Sequence, residues 1–266
     1  MMLHDKTRKL QEWFSHIESV LVAFSGGIDS TLVLKMAYDR LGQNAIAVTA
    51  ISPTFPKIEL ESAHQVSQEI GARLILAETN QLNLPAFVHN DHTRCAHCKM
   101  DLQQALAPIQ QKMNVATIID GTHVDDLGDD RPGIQASRTL GMKSPLVDAG
   151  FSKEDVRKLA RNLGLSNWDK PAGACLSSRI PRGTPITLES LQRVEKAEEV
   201  LLREGFRQVR VRAHGQSARI ELSAEELPAL LDISIRQQII QGVKAAGFAT
   251  VTVDLEGYRQ GGGNTA

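Results

Sequence analysis

From residue 20 to residue 119 the chain alternates short apolar runs with stretches of helical spacing, and this alternation narrows the possible folds more than any other feature. Residues 20–24 (VLVAF) are rich in strand formers, whereas residues 31–37 place their apolar side chains at helical intervals. A second strand is expected at 45–51, a helix at about 57–70 closed by Gly71, a third strand at 73–77, a helix following Cys98 and a fourth strand at 115–119. Strands separated by helices build a parallel sheet covered on both faces. The expected fold class is therefore α/β, a doubly wound parallel sheet.

In such sheets ligands bind at the carboxyl ends of the strands, where two segments of this chain would lie. The first is Ser25-Gly26-Gly27-Ile28-Asp29-Ser30. Gly26 and Gly27 let the backbone bend where a side chain would clash, so that amide N–H groups converge beside the first turn of a helix and bind an anion. The lysine of the G-x-x-x-x-G-K-S/T phosphate loop is missing, and so is the dinucleotide pattern G-x-G-x-x-G. Asp29 offers a carboxylate for Mg²⁺ and Ser30 a hydroxyl for a phosphate oxygen. The alternative is a tight turn with a helix cap. The ordered hexapeptide after a buried strand resembles the PP-loop of ATP pyrophosphatases, which split ATP into AMP and pyrophosphate. The second segment, Gly121-Thr122-His123-Val124-Asp125-Asp126, presents Asp125 and Asp126 for Mg²⁺ or for orienting a substrate, the alternative being a solvated acidic loop that runs on to Asp130.

Composition bounds the function. The 266 residues, 42% hydrophobic and 23% charged, suit one large or two modest globular domains. A net charge of −1 gives no electrostatic case for nucleic-acid binding. No apolar run approaches the ~18 residues of a membrane span, and the first residues lack a signal peptide's apolar core, so no membrane partner and a cytoplasmic location are expected. Three cysteines, an odd number, suit a reducing compartment and point to metal or chemistry before structural disulfides.

Ser152 reads as the N-cap of a further helix, with Asp155 three residues on and Gly164 at its close. Residues 168–183 have no periodicity and carry Pro171, Gly173, Cys175, Pro181 and Gly183, as a loop or hinge would. Beyond them a helix at about 188–203, strands at 209–213 and 219–222, helical segments to about 246 and a strand at 250–255 describe a smaller α+β domain. The expected organisation is a nucleotide-binding domain over 1–170, the cysteine-bearing loop over 171–186, the α+β domain over 187–258 and a disordered tail over 259–266.

Arg210 and Arg212 project from one face of their strand and Val209 and Val211 from the other. Two guanidiniums side by side suit an anionic ligand; solvated arginines on an exposed face are the alternative. Cys95-Ala96-His97-Cys98 with distant Cys175 is a stronger signal. Three thiolates would complete a zinc site with His92 or His97, or hold three irons of a [4Fe–4S] cluster and leave the fourth open. A redox dithiol is a third option, and these stay open on spacing alone. Cys175 lies in a small-residue loop beside the cation Arg179, a setting that exposes a thiol and lowers its pKa.

Together these segments resemble the LarE family of ATP-dependent sulfur transferases, over about residues 10–258. The likeness rests on Ser25 to Ser30, on Gly121-Thr122 with Asp125 to Asp129 and Arg131-Pro132-Gly133, on Lys170 to Pro181, and on Val209-Arg210-Val211-Arg212. The resemblance implies a PP-loop, HUP-like fold and a two-stage reaction on pyridinium-3,5-biscarboxylic acid mononucleotide, in biosynthesis of the nickel-pincer cofactor of lactate racemase. ATP, with Mg²⁺, first adenylates a substrate carboxylate; a sulfur nucleophile then displaces AMP. It implies that Ser25, Gly26, Gly27, Asp29, Ser30, Gly121 and Thr122 bind ATP, that Arg210 and Arg212 bind the nucleotide substrate, and that Cys175, Asp29 and Arg179 serve the chemistry. With Cys95, Cys98 and Cys175 present, the resemblance is to members that hold a [4Fe–4S] cluster, in place of those in which the residue matching Cys175 is sacrificed as the sulfur source. A homo-oligomer and a supply of sulfide or another sulfur donor are implied too. An ammonia-using synthetase such as NAD synthase, a tRNA thiolase and a zinc-stabilised nucleotide-binding regulator are the competing readings.

Overall fold

The structure, a computed structural model, describes residues 1–128 and 132–259. Asp129, Asp130 and Arg131 of the second strand-end segment lie outside the described residues, as does the tail from residue 260. Two compact units are present, Met1–Gln81 with Cys95–Gly173, and Leu82–Arg94 with the chain from Ala174 onward.

The first unit begins with α1 (Leu3–Ser15), β1 (Val20–Ala23), α2 (Ile28–Leu41), β2 (Ala45–Ile51), α3 (Lys57–Ile70) and β3 (Arg73–Glu78). After the short α4 (Pro85–Val88), which belongs to the second unit, come α5 (Arg94–Met113), β4 (Thr117–Ile119), α6 (Pro132–Thr139), α7 (Pro145–Asp148) and α8 (Lys153–Asn162). The sheet is wholly parallel in the order β3-β2-β1-β4. Val20 and Val22 of β1 join one apolar cluster, with α1, α2, α3 and α8, while Leu21 joins a second with Leu106 of α5 and Ile118 of β4. Alternate side chains thus feed cores on both faces, as the period of a strand requires. The order reverses at β1, with β2 on one side and β4 on the other. That makes the carboxyl end of β1 the switch point at which a ligand crevice opens.

Helix α5 departs from the expectation of a helix that only follows Cys98. It begins at Arg94, where Asp91 accepts from the Thr93 backbone N–H at 2.7 Å and so folds the entry turn. Cys95 and Cys98 therefore both lie on the helix. The first turn of α8 follows the sequence: Ser152 and Asp155 form a capping box. Burial alone would raise the Asp155 carboxyl, but hydrogen bonds from Lys6 and from Ser152 outweigh it and bring the group to about 2. A depressed folded-state pKa stabilises the fold above the unfolded value near 4 and ceases to do so as pH falls through about 2. Asp155→Asn should remove this dependence: in urea titrations between about pH 4 and pH 2 the wild type should lose stability relative to the variant. Parallel pH profiles would assign the acid limb to other carboxylates.

The second unit contains a 3-10 turn at Leu176–Arg179, then α9 (Leu188–Arg203), β5 (Val209–His214), β6 (Ser217–Leu222), α10 (Ile233–Ala245) and β7 (Thr250–Val253). Its three-stranded sheet is mixed, β5 antiparallel to β6 and β6 parallel to β7. Asn90 ties the 82–94 segment to this unit, donating to the carbonyls of Pro181 and Thr184 at 2.8 Å each. Among the described residues no helix is long and apolar enough to cross a membrane.

Candidate active site

Between β1 and α2 the chain turns at Gly26, whose φ of +71° is in the left-handed region. A Cβ there would lie 2.7 Å from the backbone nitrogen of Ala63, so both conformation and space require glycine. Gly27 is the N-cap of α2 and supplies no side chain to its first N–H groups, which leaves the helix N-terminus suited to an anion. The hydroxyls of Ser25 and Ser30 stand 3.2 Å apart beside it, and the Gly27 N–H donates to Ser25 Oγ at 3.3 Å.

The exit of β4 presses against the same turn. A Cβ on Gly121 would lie 2.6 Å from the backbone nitrogen of Ser30, so nothing larger than glycine fits. The two strand-end segments are thus brought together. Asp29 receives Lys153 Nζ at 2.6 Å on each carboxylate oxygen, and the Lys153 backbone N–H donates to Asp125 Oδ2 at 2.7 Å. His123 Nε2 is 3.3 Å from Asp126 Oδ2 and 3.9 Å from Asp29 Oδ1. The Thr122 N–H is taken by Asp120 Oδ1 at 3.1 Å. At the carboxyl ends of the neighbouring β2 and β3, Ile51, Ser52, Pro53, Glu78, Thr79 and Asn80 line a pocket of about 530 Å³, in the size range of small-ligand sites.

Lys153 was not singled out by the sequence, being 124 residues from its partner. One signal was present: a lysine as the first residue of a helix opposes the macrodipole and asks for an anionic partner. Asp29, in the first turn of α2, has the favourable sign.

In the second unit, Arg210 and Arg212 are buried, 7% and 6% exposed, so the solvated-surface alternative does not hold. Arg212 pairs with Glu221 through Nε and Nη2 at 2.8–3.0 Å and donates to the Ser178 carbonyl at 2.9 Å. Arg210 stacks on Tyr258 at 5.2 Å from its ring centre and donates to the Val209 carbonyl. Burial, then the nearby Arg179 charge, lowers its pKa. Arg179 grips Glu198 with two donors at 2.8 and 2.9 Å and the carbonyls of Ala174 and Cys175 at 2.8 and 3.0 Å. Burial would lower the pKa of Arg179, but the Glu198 charge outweighs it and raises it. Arg179 therefore fixes the backbone on either side of Cys175, whose Sγ lies 2.9 Å from Ser177 Oγ. Arg212→Ala would leave the buried Glu221 with the half-exposed Arg219, 3.1 Å away, as its remaining cation, and should cost about 2 kcal/mol of stability in denaturant titration; a loss under about 0.5 kcal/mol would show that Arg219 takes over the pair.

Cys95 and Cys98 sit one turn apart on α5, and Cys175 belongs to the second unit. None of the three forms a disulfide, and among the described residues no three His, Cys, Asp or Glu side chains gather into a metal-holding group. The donor chemistry of three thiols suits a soft metal or cluster.

Comparison with known proteins bears on both units. The NAD synthase family model matches residues 6–117, within which lies the whole of the first strand-end segment. An uncharacterized protein of Synechocystis sp. is 46% identical over 261 residues, covering 98% of this chain and 97% of its own. An uncharacterized protein of Methanocaldococcus jannaschii is 29% identical over 255 residues, covering 94% of this chain and 94% of its own. The pyridinium-3,5-bisthiocarboxylic acid mononucleotide synthase of Lactiplantibacillus plantarum is 39% identical over 246 residues, 92% of this chain and 88% of its own, and at that identity and coverage the chain belongs to the LarE family of ATP-dependent sulfur transferases.

Proposed function

We propose that this protein adenylates a carboxylate of pyridinium-3,5-biscarboxylic acid mononucleotide and replaces its oxygen with sulfur. The observation that carries the reading is the Asp29–Lys153 pair, set at the sheet's switch point by the forced approach of Gly121 to α2. Asp29, with Asp125 or Asp126, would hold Mg²⁺, which supplies charge neutralisation for the departing phosphates. Lys153, held at the cradle by Asp29, would supply the phosphates with the cation that the loop itself lacks. The N–H groups at the start of α2 and the hydroxyls of Ser25 and Ser30 complete the cradle, with Gly121 and Thr122 at its edge and the 530 Å³ pocket for the nucleoside.

A substrate carboxylate oxygen attacks the α-phosphorus of ATP, the bond to the bridging oxygen breaks, and pyrophosphate leaves. A sulfur nucleophile adds to the carbonyl carbon of the mixed anhydride, and AMP departs with the former carboxylate oxygen. Arg179, Arg210 and Arg212 supply guanidinium donors of the kind that suits the substrate's phosphate and carboxylates. Arg179 positions Cys175 through the loop backbone. Cys95, Cys98 and Cys175 would hold a [4Fe–4S] cluster, which supplies an open iron for a replenishable sulfide from an external donor. We infer a homo-oligomer from family membership.

The match to the NAD synthase model favours one alternative, amide formation with ammonia. Incubation with MgATP, the biscarboxylate substrate and either sulfide or ammonia separates the two. Thiocarboxylate with AMP and pyrophosphate supports the proposal; amide formed from ammonia in preference overturns it.

A further inference from the structure

The peptide between Gly26 and Gly27 is held by its carbonyl. That oxygen accepts from Asn167 Nδ2 at 3.1 Å, Ser62 Oγ at 3.3 Å and Lys170 Nζ at 3.5 Å. Each donor is itself anchored in the first unit: Asn167 Nδ2 also reaches Thr31 Oγ1 at 2.9 Å, Lys170 pairs with Glu59 at 2.7 Å, and Ser62 stands on α3. In a trans peptide the C=O and N–H point in opposite directions, and the described backbone has no cis bond. Three donors on the carbonyl therefore turn the Gly27 N–H the other way, toward Ser25 Oγ, to which it donates at 3.3 Å. A peptide flanked by two glycines has little orientational preference of its own, so an external hold decides which way it faces. Asn167 is 7% exposed, yet its Oδ1 has no partner. The donor end of the amide is in use while the acceptor end goes unsatisfied, which marks the donor as what the site requires.

We propose that Asn167, Lys170 and Ser62 are positioning residues, a clasp that aims the Gly27 N–H at the phosphates of the bound nucleotide. This rests on the reading of the loop as the ATP site.

Calorimetric titration of the full chain with MgATP, inorganic pyrophosphate and adenosine tests the clasp. Asn167→Asp keeps the shape but removes the donor, and should weaken MgATP and pyrophosphate roughly tenfold or more with adenosine unchanged. Ser62→Ala and Lys170→Met should shift the same ratio by roughly threefold, and they decide the matter if Asn167→Asp fails to fold. MgATP affinity equal to wild type in the folded variants, or equal losses for adenosine and MgATP, would overturn the clasp alone. Failure of the wild type to bind MgATP or pyrophosphate would instead overturn the ATP-site reading on which it rests.

Discussion

Asp29→Ala is expected to lower pyrophosphate release by about a thousandfold or more, in line with losing a charge-neutralising metal contact at a phosphoryl centre. Two effects add. A bound Mg²⁺ would lose a carboxylate, and Lys153, deprived of its partner, would no longer be held at the cradle. The fold should survive. The Asp29 side chain is 28% exposed, and losing a partly solvated pair and a favourable helix-terminal charge costs about 1–2 kcal/mol against a typical total of about 5–15. Asp29→Asn, which keeps shape but not charge, should be nearly as inactive. A variant with a native melting curve and normal adenylate formation would remove Asp29 from the site.

Replacing Cys175 by Ser should abolish sulfur insertion while pyrophosphate release stays within a few-fold of wild type. The separation follows from placement, since the cradle is built in the first unit and Cys175 belongs to the second. If the three thiols share a cluster, anaerobically reconstituted protein should carry about four irons, and Cys95→Ser or Cys98→Ser should lose most of them, because two soft ligands hold such a core poorly. With sulfide supplied, the intact protein should turn over repeatedly and keep its mass. Zinc in place of iron, or a loss of about 34 Da at Cys175 tracking product one for one, as elimination of an activated thiol would give, contradicts the cluster.

Where local pattern suffices, the structure was legible. The alternation of short apolar runs with stretches of helical spacing specified the parallel sheet, the Ser152–Asp155 capping box and the α9 boundaries followed from short-range rules, and two glycine-bearing strand ends pointed to one crevice. What escaped was long-range. Lys153 and Asn167 act on the loop from more than a hundred residues away, through contacts that no periodicity encodes. Arg210 and Arg212 alternate as a half-exposed strand would, but Glu221 from β6 and the ring of Tyr258 cover them, so both faces of β5 are buried. The start of α5 was missed because the Asp91 turn, not the Cys-His run, sets it.

The most direct test of the account is the stoichiometry of a complete reaction. Anaerobic protein, MgATP, pyridinium-3,5-biscarboxylic acid mononucleotide and sulfide should yield one AMP and one pyrophosphate for each carboxylate oxygen replaced by sulfur, with no ATP cleaved when the biscarboxylate is left out. Sulfur insertion without AMP formation, or ATP cleaved to ADP and phosphate, would contradict it.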